Sequence, residues 1–337
     1  MNPIPTIDLE PFATGNPLPS PDATRIAAEI DAALREVGFL LVTGHGVDAA
    51  VKDALFDRMR AFFALPVADK DAIAIGNSPC HRGYVGFGSE TLEGALGGDE
   101  DAIGTGLTGD LKETLDTGTE HAPDHPEVVA GTPLHGPNQL PDLPGLGEAW
   151  TAYRGAATEA SLRMHRGLAM ALGLAPEFFE DEDTCPGETM LHLRLVHYPP
   201  TERVPPAAGQ LGCGAHTDYG TVTVLADDGV GGLQVRQRNG TWTDVVIPDG
   251  QLVVNLGDLM AIWTNDRWVS NPHRVVNPPG VDRYSAVLFV TPPFHLRIET
   301  LPTCLGADET PRHRPVVAGP YLLSRFDGTH AYRSGHA

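Results

Sequence analysis

The sequence has few basic residues and no long apolar run. Its 23 Lys and Arg stand against 44 Asp and Glu among 337 residues, which gives a formal charge of −21. Such a charge repels phosphate backbones and anionic lipid, so we expect no nucleic-acid partner and no membrane partner. No apolar stretch approaches the roughly 18 residues that a membrane helix needs. The first residues also lack the basic and apolar regions of a signal peptide, which predicts a cytoplasmic protein.

Cysteine is scarce as well. The four cysteines stand apart and form no Cys-x-x-Cys pair, so the sequence indicates neither a disulfide framework nor a zinc knuckle. With 41% hydrophobic and 20% charged residues the composition is that of an ordinary globular protein. A chain of this length forms one large domain or two small ones. We expect a monomer or a small homo-oligomer.

The N-terminal region, residues 1–130, predicts helices and short strands. Ser20 and Pro21 supply an N-cap and a first helical residue, apolar residues follow at helical spacing, and Gly38 ends the helix. The next five residues read as a short buried strand. Over residues 94–146 glycines and prolines interrupt any periodicity, which predicts a long loop or lid.

A strong amphipathic helix opens the second part of the chain. Between Leu146 and Leu172 apolar residues step by threes and fours, which predicts a scaffold helix over residues 147–174. Beyond Pro186 the period changes to two, in short segments rich in Val, Leu and aromatic residues that turn residues separate. Regularly spaced short strands favour a sandwich or a closed jelly roll.

The predicted fold is α+β and mainly β. Residues 147–295 are expected to form a jelly-roll catalytic core, also called a double-stranded β-helix, with the helical N-terminal region packed on it. Residues 296–337 are expected to return as a C-terminal segment that covers the barrel mouth.

A histidine and a carboxylate stand two residues apart in the strand-rich region. On a strand, His216 and Asp218 face the same side, and His273 lies further along at the start of a plausible strand. Two histidines and one carboxylate form the facial triad that binds Fe(II) and leaves three positions open. Closed zinc sites use four ligands and more sulfur. The three residues are therefore the predicted catalytic metal ligands, although His273 taken alone reads as a core histidine.

Arg283 and Ser285 form a second motif on one strand face. A planar guanidinium matches a carboxylate through two hydrogen bonds, and the hydroxyl adds a third donor. The pair therefore predicts a receptor for a dicarboxylate or for a substrate carboxylate. Taken alone, Arg283 is more typical of an arginine that forms a salt bridge on a strand.

The segment from His216 to Pro292 resembles the 2-oxoglutarate and Fe(II)-dependent dioxygenases of the isopenicillin N synthase type. The resemblance rests on His-Thr-Asp-Tyr-Gly-Thr, Asn-Leu-Gly-Asp, Asn-Pro-His-Arg-Val-Val-Asn-Pro and Arg-Tyr-Ser, and residues 5–9, 38–47 and 82–84 are similar too. It implies a hydroxylase that consumes 2-oxoglutarate and O₂, oxidises a C–H bond of a small molecule, and releases succinate and CO₂. Amino acids and intermediates of secondary metabolism are the substrates that it suggests.

Position by position, the resemblance implies that the triad binds iron and that the Arg-x-Ser pair binds the distal carboxylate of 2-oxoglutarate. Tyr198 falls where many members place a tyrosine that also contacts this co-substrate. One departure stands nearby, because Val196 occupies a position where plant members often have Asn. A polar contact to 2-oxoglutarate is therefore absent or supplied elsewhere.

Strand alternation extends the prediction to substrate residues. It places His192 and Arg194 on the face of Tyr198 and the leucines between them against the scaffold helix. A buried arginine needs an anionic partner, so Arg194 is a candidate for a substrate carboxylate. An internal salt bridge or a second co-substrate contact is an equal alternative. Arg82 and Tyr84 are expected to help set substrate choice.

Two other functions stay open at this point. The first is an oxidase or cyclase of the isopenicillin N synthase type that uses no 2-oxoglutarate, in which the Arg-x-Ser pair holds the substrate's own carboxylate. The second is a non-catalytic jelly-roll protein that binds a small acid. Desaturation and ring formation begin with the same hydrogen abstraction as hydroxylation, and the sequence does not separate them.

Overall fold

The computed structural model of the protein describes residues 4–92, 109–207 and 209–329. The α-helices are α1 (Pro21–Glu36), α2 (Ala49–Phe63), α3 (Val67–Asp71), α4 (Pro126–Val129), α5 (Leu146–Ala171), α6 (Asp258–Trp263) and α7 (Ala318–Thr329). The β-strands are β1 (Thr6–Asp8), β2 (Phe39–Thr43), β3 (Gly83–Val85), β4 (Glu113–Gly118), β5 (Met190–Tyr198), β6 (Cys213–His216), β7 (Val222–Asp227), β8 (Leu233–Arg236), β9 (Trp242–Asp244), β10 (Leu252–Leu256), β11 (His273–Val275), β12 (Arg283–Thr291), β13 (Arg297–Ile298) and β14 (Val316–Val317). Short 3-10 helices span Glu10–Phe12, Ile75–Asn77 and Pro302–Cys304.

Two mainly antiparallel sheets form the core. The larger has eight strands in the order β1-β2-β10-β7-β12-β5-β4-β3, and the smaller has four in the order β6-β11-β8-β9. Both sheets contribute to one buried apolar cluster, with Val196 and Val287 from the larger and Val235 and Val275 from the smaller. The apolar space between the sheets is the interior of the expected jelly roll.

The alternation that the sequence predicts for β5 is confirmed. Leu193 and Leu195 belong to the apolar cluster that includes the helices, whereas Val196 and Tyr198 belong to the cluster between the sheets. Because successive side chains on a strand point to opposite faces, β5 joins the helical layer to the barrel interior.

The helical layer covers the outer face of the larger sheet, where α1 and α2 pack on α5 and α5 packs on β7 and β12. The hydroxyl of Ser20 accepts a hydrogen bond from the Ala23 amide at 3.2 Å, as an N-cap does. Gly38 has φ +71°, and a Cβ there would lie 2.1 Å from the Val269 carbonyl oxygen. Only glycine fits this position, so α1 ends where expected and the chain turns directly into β2.

The prediction of a long loop over residues 94–146 is wrong at β4, which forms a regular strand within that stretch. Residues 94–108 of that stretch lie outside the described residues, but β4 runs between β3 and β5 in the larger sheet with all six residues buried. Its apolar alternation is missing because two carboxylates are buried in ion pairs. Glu113 pairs with Lys70 at 2.6 Å, and Asp116 pairs with Arg194 at 2.7 Å.

The C-terminal segment contains one α-helix among the described residues, α7. On α7, Leu322 and Phe326 pack with Leu134 and Phe294 in a small apolar cluster. Across the described ranges, no helix combines the length and the apolarity that crossing a membrane requires.

Candidate metal centre and co-substrate site

The predicted metal ligands meet where β6 and β11 pair. β6 ends at His216 and β11 begins at His273, and the two histidines are direct partners across the antiparallel pair. Asp218 follows β6, and its Oδ1 lies 3.7 Å from the Nε2 of each histidine. The three ligand atoms lie within 4.8 Å of one another, and all three residues are buried. This is the spacing and composition of a site for one metal ion.

The backbone orients both imidazole rings. Nδ1 of His216 lies 2.8 Å from the Gly214 carbonyl oxygen, and Nδ1 of His273 lies 3.3 Å from the Asn271 carbonyl oxygen. A ring nitrogen that donates to a carbonyl leaves the lone pair on the other nitrogen, so Nε2 of each ring faces the centre. Burial and the neighbouring His216 lower the pKa of His273 to about 4. The ring is therefore neutral at neutral pH, as a metal ligand must be.

The carboxylate is oriented in the same way. Oδ2 of Asp218 accepts hydrogen bonds of 2.6 Å from both the Thr223 hydroxyl and the Asn255 side-chain amide, and Oδ1 faces the histidines. Burial alone raises the pKa of this carboxyl, but the electrostatic interactions with His273 and His216 and the two hydrogen bonds bring it below its ordinary value. The site therefore presents a carboxylate oxygen and the Nε2 atoms of two imidazoles to a cation.

The Arg-x-Ser pair lies fully inside the barrel. Nε of Arg283 donates to the Gly231 carbonyl at 2.5 Å, and its Nη1 lies 3.4 Å from the Ser285 hydroxyl. Its Nη2 is buried without a hydrogen bond in the described part of the chain and lies 4.0 Å from the Asp227 carboxylate. An unused donor on a buried guanidinium is costly. A ligand carboxylate at this point would accept from Nη2 and from the Ser285 hydroxyl, so the residues fit the expected co-substrate.

Tyr198 lies next to this pair, with its ring centre 4.8 Å from the guanidinium carbon of Arg283. Burial raises the pKa of Tyr198 to about 12, so its hydroxyl keeps its proton and can donate to a carboxylate. Val196 packs in the apolar cluster between the sheets. Its side chain offers only methyl groups, so the departure from the plant pattern removes a polar contact at this position.

A cavity adjoins the triad and has a mixed wall. Its lining includes Glu90, His192, Arg194, Phe289, Leu322 and Phe326. Helix α7 supplies the last two. Nε2 of His192 lies 2.5 Å from Oδ1 of Asp116, and burial lowers the pKa of His192. The ring is therefore neutral, donates through Nε2 and keeps an acceptor lone pair on Nδ1.

Arg194 lines this cavity but is paired within the protein. Its Nε donates to Asp116 at 2.7 Å, and its Nη1 lies 3.0 and 3.1 Å from the two carboxylate oxygens of Glu90. Glu90 also pairs at 3.0 Å with Lys112, which contacts Asp110. Burial opposes the charge of Arg194, yet Asp116 and Glu90 raise its pKa well above the ordinary value. The alternative of an internal salt bridge is the one that forms.

Arg82 and Tyr84 do not line this cavity within the described ranges. The Tyr84 hydroxyl donates to Glu113 at 2.6 Å, and its ring packs against Phe62 in the helical cluster. Arg82 donates to the Leu134 carbonyl at 2.9 Å and lines a neighbouring cavity. Within the described residues Tyr84 therefore lies away from this cavity, and Arg82 lies one cavity away; their expected part in substrate choice stays a prediction.

Two family models match the chain. Residues 4–143 match the N-terminal model described as non-haem dioxygenase in morphine synthesis, and residues 189–292 match the 2OG-Fe(II) oxygenase superfamily. A 2-oxoglutarate-Fe(II) type oxidoreductase of Emericella nidulans is 36% identical over 307 residues, which covers 88% of this chain and 83% of the relative. A homoarginine-6-hydroxylase of Glycine max is 31% identical and covers 89% of this chain and 88% of the relative.

Solved structures agree over nearly the full length. A 2OG-Fe(II) oxygenase family protein from Caulobacter crescentus superposes with a TM-score of 0.77 at 32% identity, covering 97% of this chain and 99% of that one. A full-length Neurospora crassa protein, solved in complex with alpha-KG and thymine, has a TM-score of 0.77 at 29% identity, with 96% of each chain covered. The chain belongs to the 2OG-Fe(II) oxygenase superfamily.

Proposed function

We propose that His216, Asp218 and His273 bind the Fe(II) of this 2-oxoglutarate-dependent oxygenase, and that Arg283 and Ser285 bind the distal carboxylate of 2-oxoglutarate. The observation that carries the proposal is the buried Nη2 of Arg283, which has no hydrogen bond within the described residues. Bound Fe(II) supplies the activation of O₂ that couples decarboxylation of 2-oxoglutarate to oxidation of a substrate C–H bond.

The chain's own residues position the reactants and exclude water. Thr223 and Asn255 hold one oxygen of Asp218, which leaves the other free for the metal. The Tyr198 hydroxyl, which keeps its proton, donates to the co-substrate beside the Arg-x-Ser pair. Phe326 on α7 covers the cavity beside the triad, so the oxidised C–H bond is held away from bulk water.

The substrate that suits the cavity is a small molecule whose recognition needs no free cation. Arg194 is paired with Asp116 and Glu90, so a substrate carboxylate would meet a wall whose positive charge is already neutralised. The two phenylalanines of the wall offer apolar surface to a flat ring. His192 presents an acceptor nitrogen to an N–H or O–H donor of the substrate.

Relatives supply the first substrate panel. The Neurospora crassa protein is in complex with thymine, an uncharged ring that carries N–H donors. The Glycine max relative is named for homoarginine, an amino acid. The structure of the wall favours the uncharged ring, and comparing the two ligand types tests that preference directly.

One titration tests the metal and co-substrate assignments. Fe(II) and 2-oxoglutarate are added to the protein without O₂, and the metal-to-ligand charge-transfer band is recorded. We expect the band in the wild type, its loss in His216→Ala, and a much weaker 2-oxoglutarate response in Arg283→Gln. An intact band in His216→Ala contradicts the proposed ligand set. Turnover of any panel substrate without succinate contradicts the use of 2-oxoglutarate and favours the oxidase alternative.

We further propose that the enzyme works in the cytoplasm as a monomer or small homo-oligomer without a nucleic-acid or membrane partner. The formal charge of −21 supports this, since polyanions and anionic lipid are repelled. Light scattering after size exclusion measures the assembly, and binding assays with DNA and anionic vesicles test the absence of such partners.

A further inference from the structure

A second cluster of two histidines and one carboxylate lies outside the catalytic site. We propose that His121, His125 and Glu188 bind a divalent transition-metal ion of the Zn²⁺ class. Nε2 of His121 lies 3.0 Å from Oε2 of Glu188, and Nε2 of His125 lies 3.6 Å from the same oxygen. The three ligand atoms lie within 4.8 Å of one another.

These distances suit a single ion. In tetrahedral zinc sites, bonds of about 2.0–2.1 Å keep neighbouring ligand atoms roughly 3.3 Å apart. The two distances to Glu188 lie on either side of that value. The catalytic triad, with 3.7 Å for the corresponding distances, is no tighter. Binding at the second cluster therefore needs only small side-chain rotations.

The chemistry of the rings permits binding and limits its strength. In the metal-free protein Nε2 of His121 donates to Oε2 of Glu188 at 3.0 Å, so a metal ion has to replace that proton. Nδ1 of His121 is buried without a hydrogen bond in the described residues and can carry the ring proton instead, which leaves the lone pair on Nε2 for the ion. Nδ1 of His125 accepts a long hydrogen bond of 3.3 Å from the Glu127 amide. Metal binding through Nε2 would break this bond, because Nδ1 would then carry the ring proton. His135 packs 4.9 Å from the His121 ring and places a further imidazole beside the cluster.

The donor set selects the class of ion. Two imidazoles and one carboxylate suit Zn²⁺, Cu²⁺ or Ni²⁺, whereas Mg²⁺ and Ca²⁺ prefer oxygen ligands. Glu188 is 47% exposed, so an ion can enter from solvent. His121 and His125 follow β4 and Glu188 precedes β5, so a bound ion would tie these two segments together. His121 and Glu188 also line the cavity that adjoins the substrate cavity.

The test uses the full chain with the iron site removed by His216→Ala and His273→Ala. Zn²⁺ is titrated by calorimetry, and Co²⁺ is titrated while its visible spectrum is recorded. We expect one equivalent of Zn²⁺ to bind and to raise Tm. Adding His125→Gln or Glu188→Gln, both at partly exposed positions, should weaken binding at least tenfold, and adding His121→Ala should abolish it.

The matched control is His313→Ala, which removes a histidine that pairs with Asp266 at 2.7 Å and belongs to no candidate metal cluster among the described residues. This change should leave Zn²⁺ binding unaltered. Absence of Zn²⁺ binding in the folded iron-site variant overturns the proposal, and so does binding that survives both His125→Gln and Glu188→Gln. Neither outcome depends on turnover, so the result is independent of the function proposed for the catalytic site.

Discussion

The guanidinium carbon of Arg283 lies 4.8 Å from the centre of the Tyr198 ring, and the two residues are direct partners across β12 and β5. Paired positions of neighbouring strands share a face, so strand register alone brings the cation and the phenol together. Ser285 lies two residues on and returns to the same face. The Gly231 carbonyl accepts from Nε, which leaves Nη2 without a hydrogen bond among the described residues and available to the proposed co-substrate carboxylate.

Arg283→Gln should therefore impair 2-oxoglutarate binding more than iron binding. Loss of a buried charged partner costs about 2–5 kcal/mol, which corresponds to a rise in the KM for 2-oxoglutarate of roughly 30-fold or more. Arg283→Lys keeps the charge but not the forked geometry, so it should recover only part of the loss. Succinate kinetics measure both variants, with the exposed Arg297→Gln as the control. An unchanged KM in Arg283→Gln contradicts the assignment.

Asn255→Leu should weaken Fe(II) binding without touching a ligand. Asn255 and Thr223 each donate to Oδ2 of Asp218 at 2.6 Å, and removing such a partner typically costs 10–100-fold in metal affinity. Thr223→Val should act in the same direction. Fe(II) titration in the presence of 2-oxoglutarate measures the effect, and Thr241→Val on an exposed turn is the control. Equal Fe(II) affinity in Asn255→Leu and wild type would show that the carboxylate needs no such support.

Arg194→Met should lower the free energy of unfolding. The change leaves Asp116 buried without its cation and leaves Glu90 with Lys112 alone, and breaking a buried pair in this way costs about 3–5 kcal/mol. Urea unfolding measures the loss. The control is Arg25→Met, which breaks an exposed helix pair with Glu29 and should cost at most about 1 kcal/mol. A stable Arg194→Met protein that fails only to bind substrate would restore the receptor role.

Local signals predicted the elements that position the site. The cap at Ser20, the period of α5 and the alternation along β5 each depend on residues close in sequence, and the structure contains all three. The three proposed metal ligands could also be predicted from the sequence, because two of them share one strand end and the third belongs to a recognisable motif.

The remaining features depend on contacts between distant segments. β4 lacks apolar alternation because Asp116 is buried against Arg194, 78 residues away, and Glu90 lies 104 residues from the same arginine. No pattern within either segment indicates its partner. His121 and Glu188, 67 residues apart, were missed for the same reason. Because the charged residues of β4 are buried in ion pairs with distant segments, sequence periodicity predicts neither the strand nor the ion pairs around it.

His165 should make stability depend on pH in the weakly acidic range. It is buried on α5, and burial lowers its pKa to about 4 from an ordinary value of 6.5. Between these values the unfolded chain binds a proton that the folded protein does not, so stability falls as pH falls. The full shift corresponds to about 3 kcal/mol in the free energy of unfolding, and most of this stability is lost between pH 7 and pH 4.5.

His165→Gln should remove this contribution. The variant should be less stable at pH 7, since Nδ1 and Nε2 of His165 lie 2.8 Å from the Ser161 carbonyl and 3.1 Å from the Thr221 hydroxyl. Its loss of stability between pH 7 and pH 4.5 should nevertheless be smaller than that of the wild type. Urea unfolding of the metal-free proteins at both pH values measures the difference. The partly exposed His313→Gln should keep the wild-type dependence. A His165→Gln protein with that same dependence contradicts the prediction.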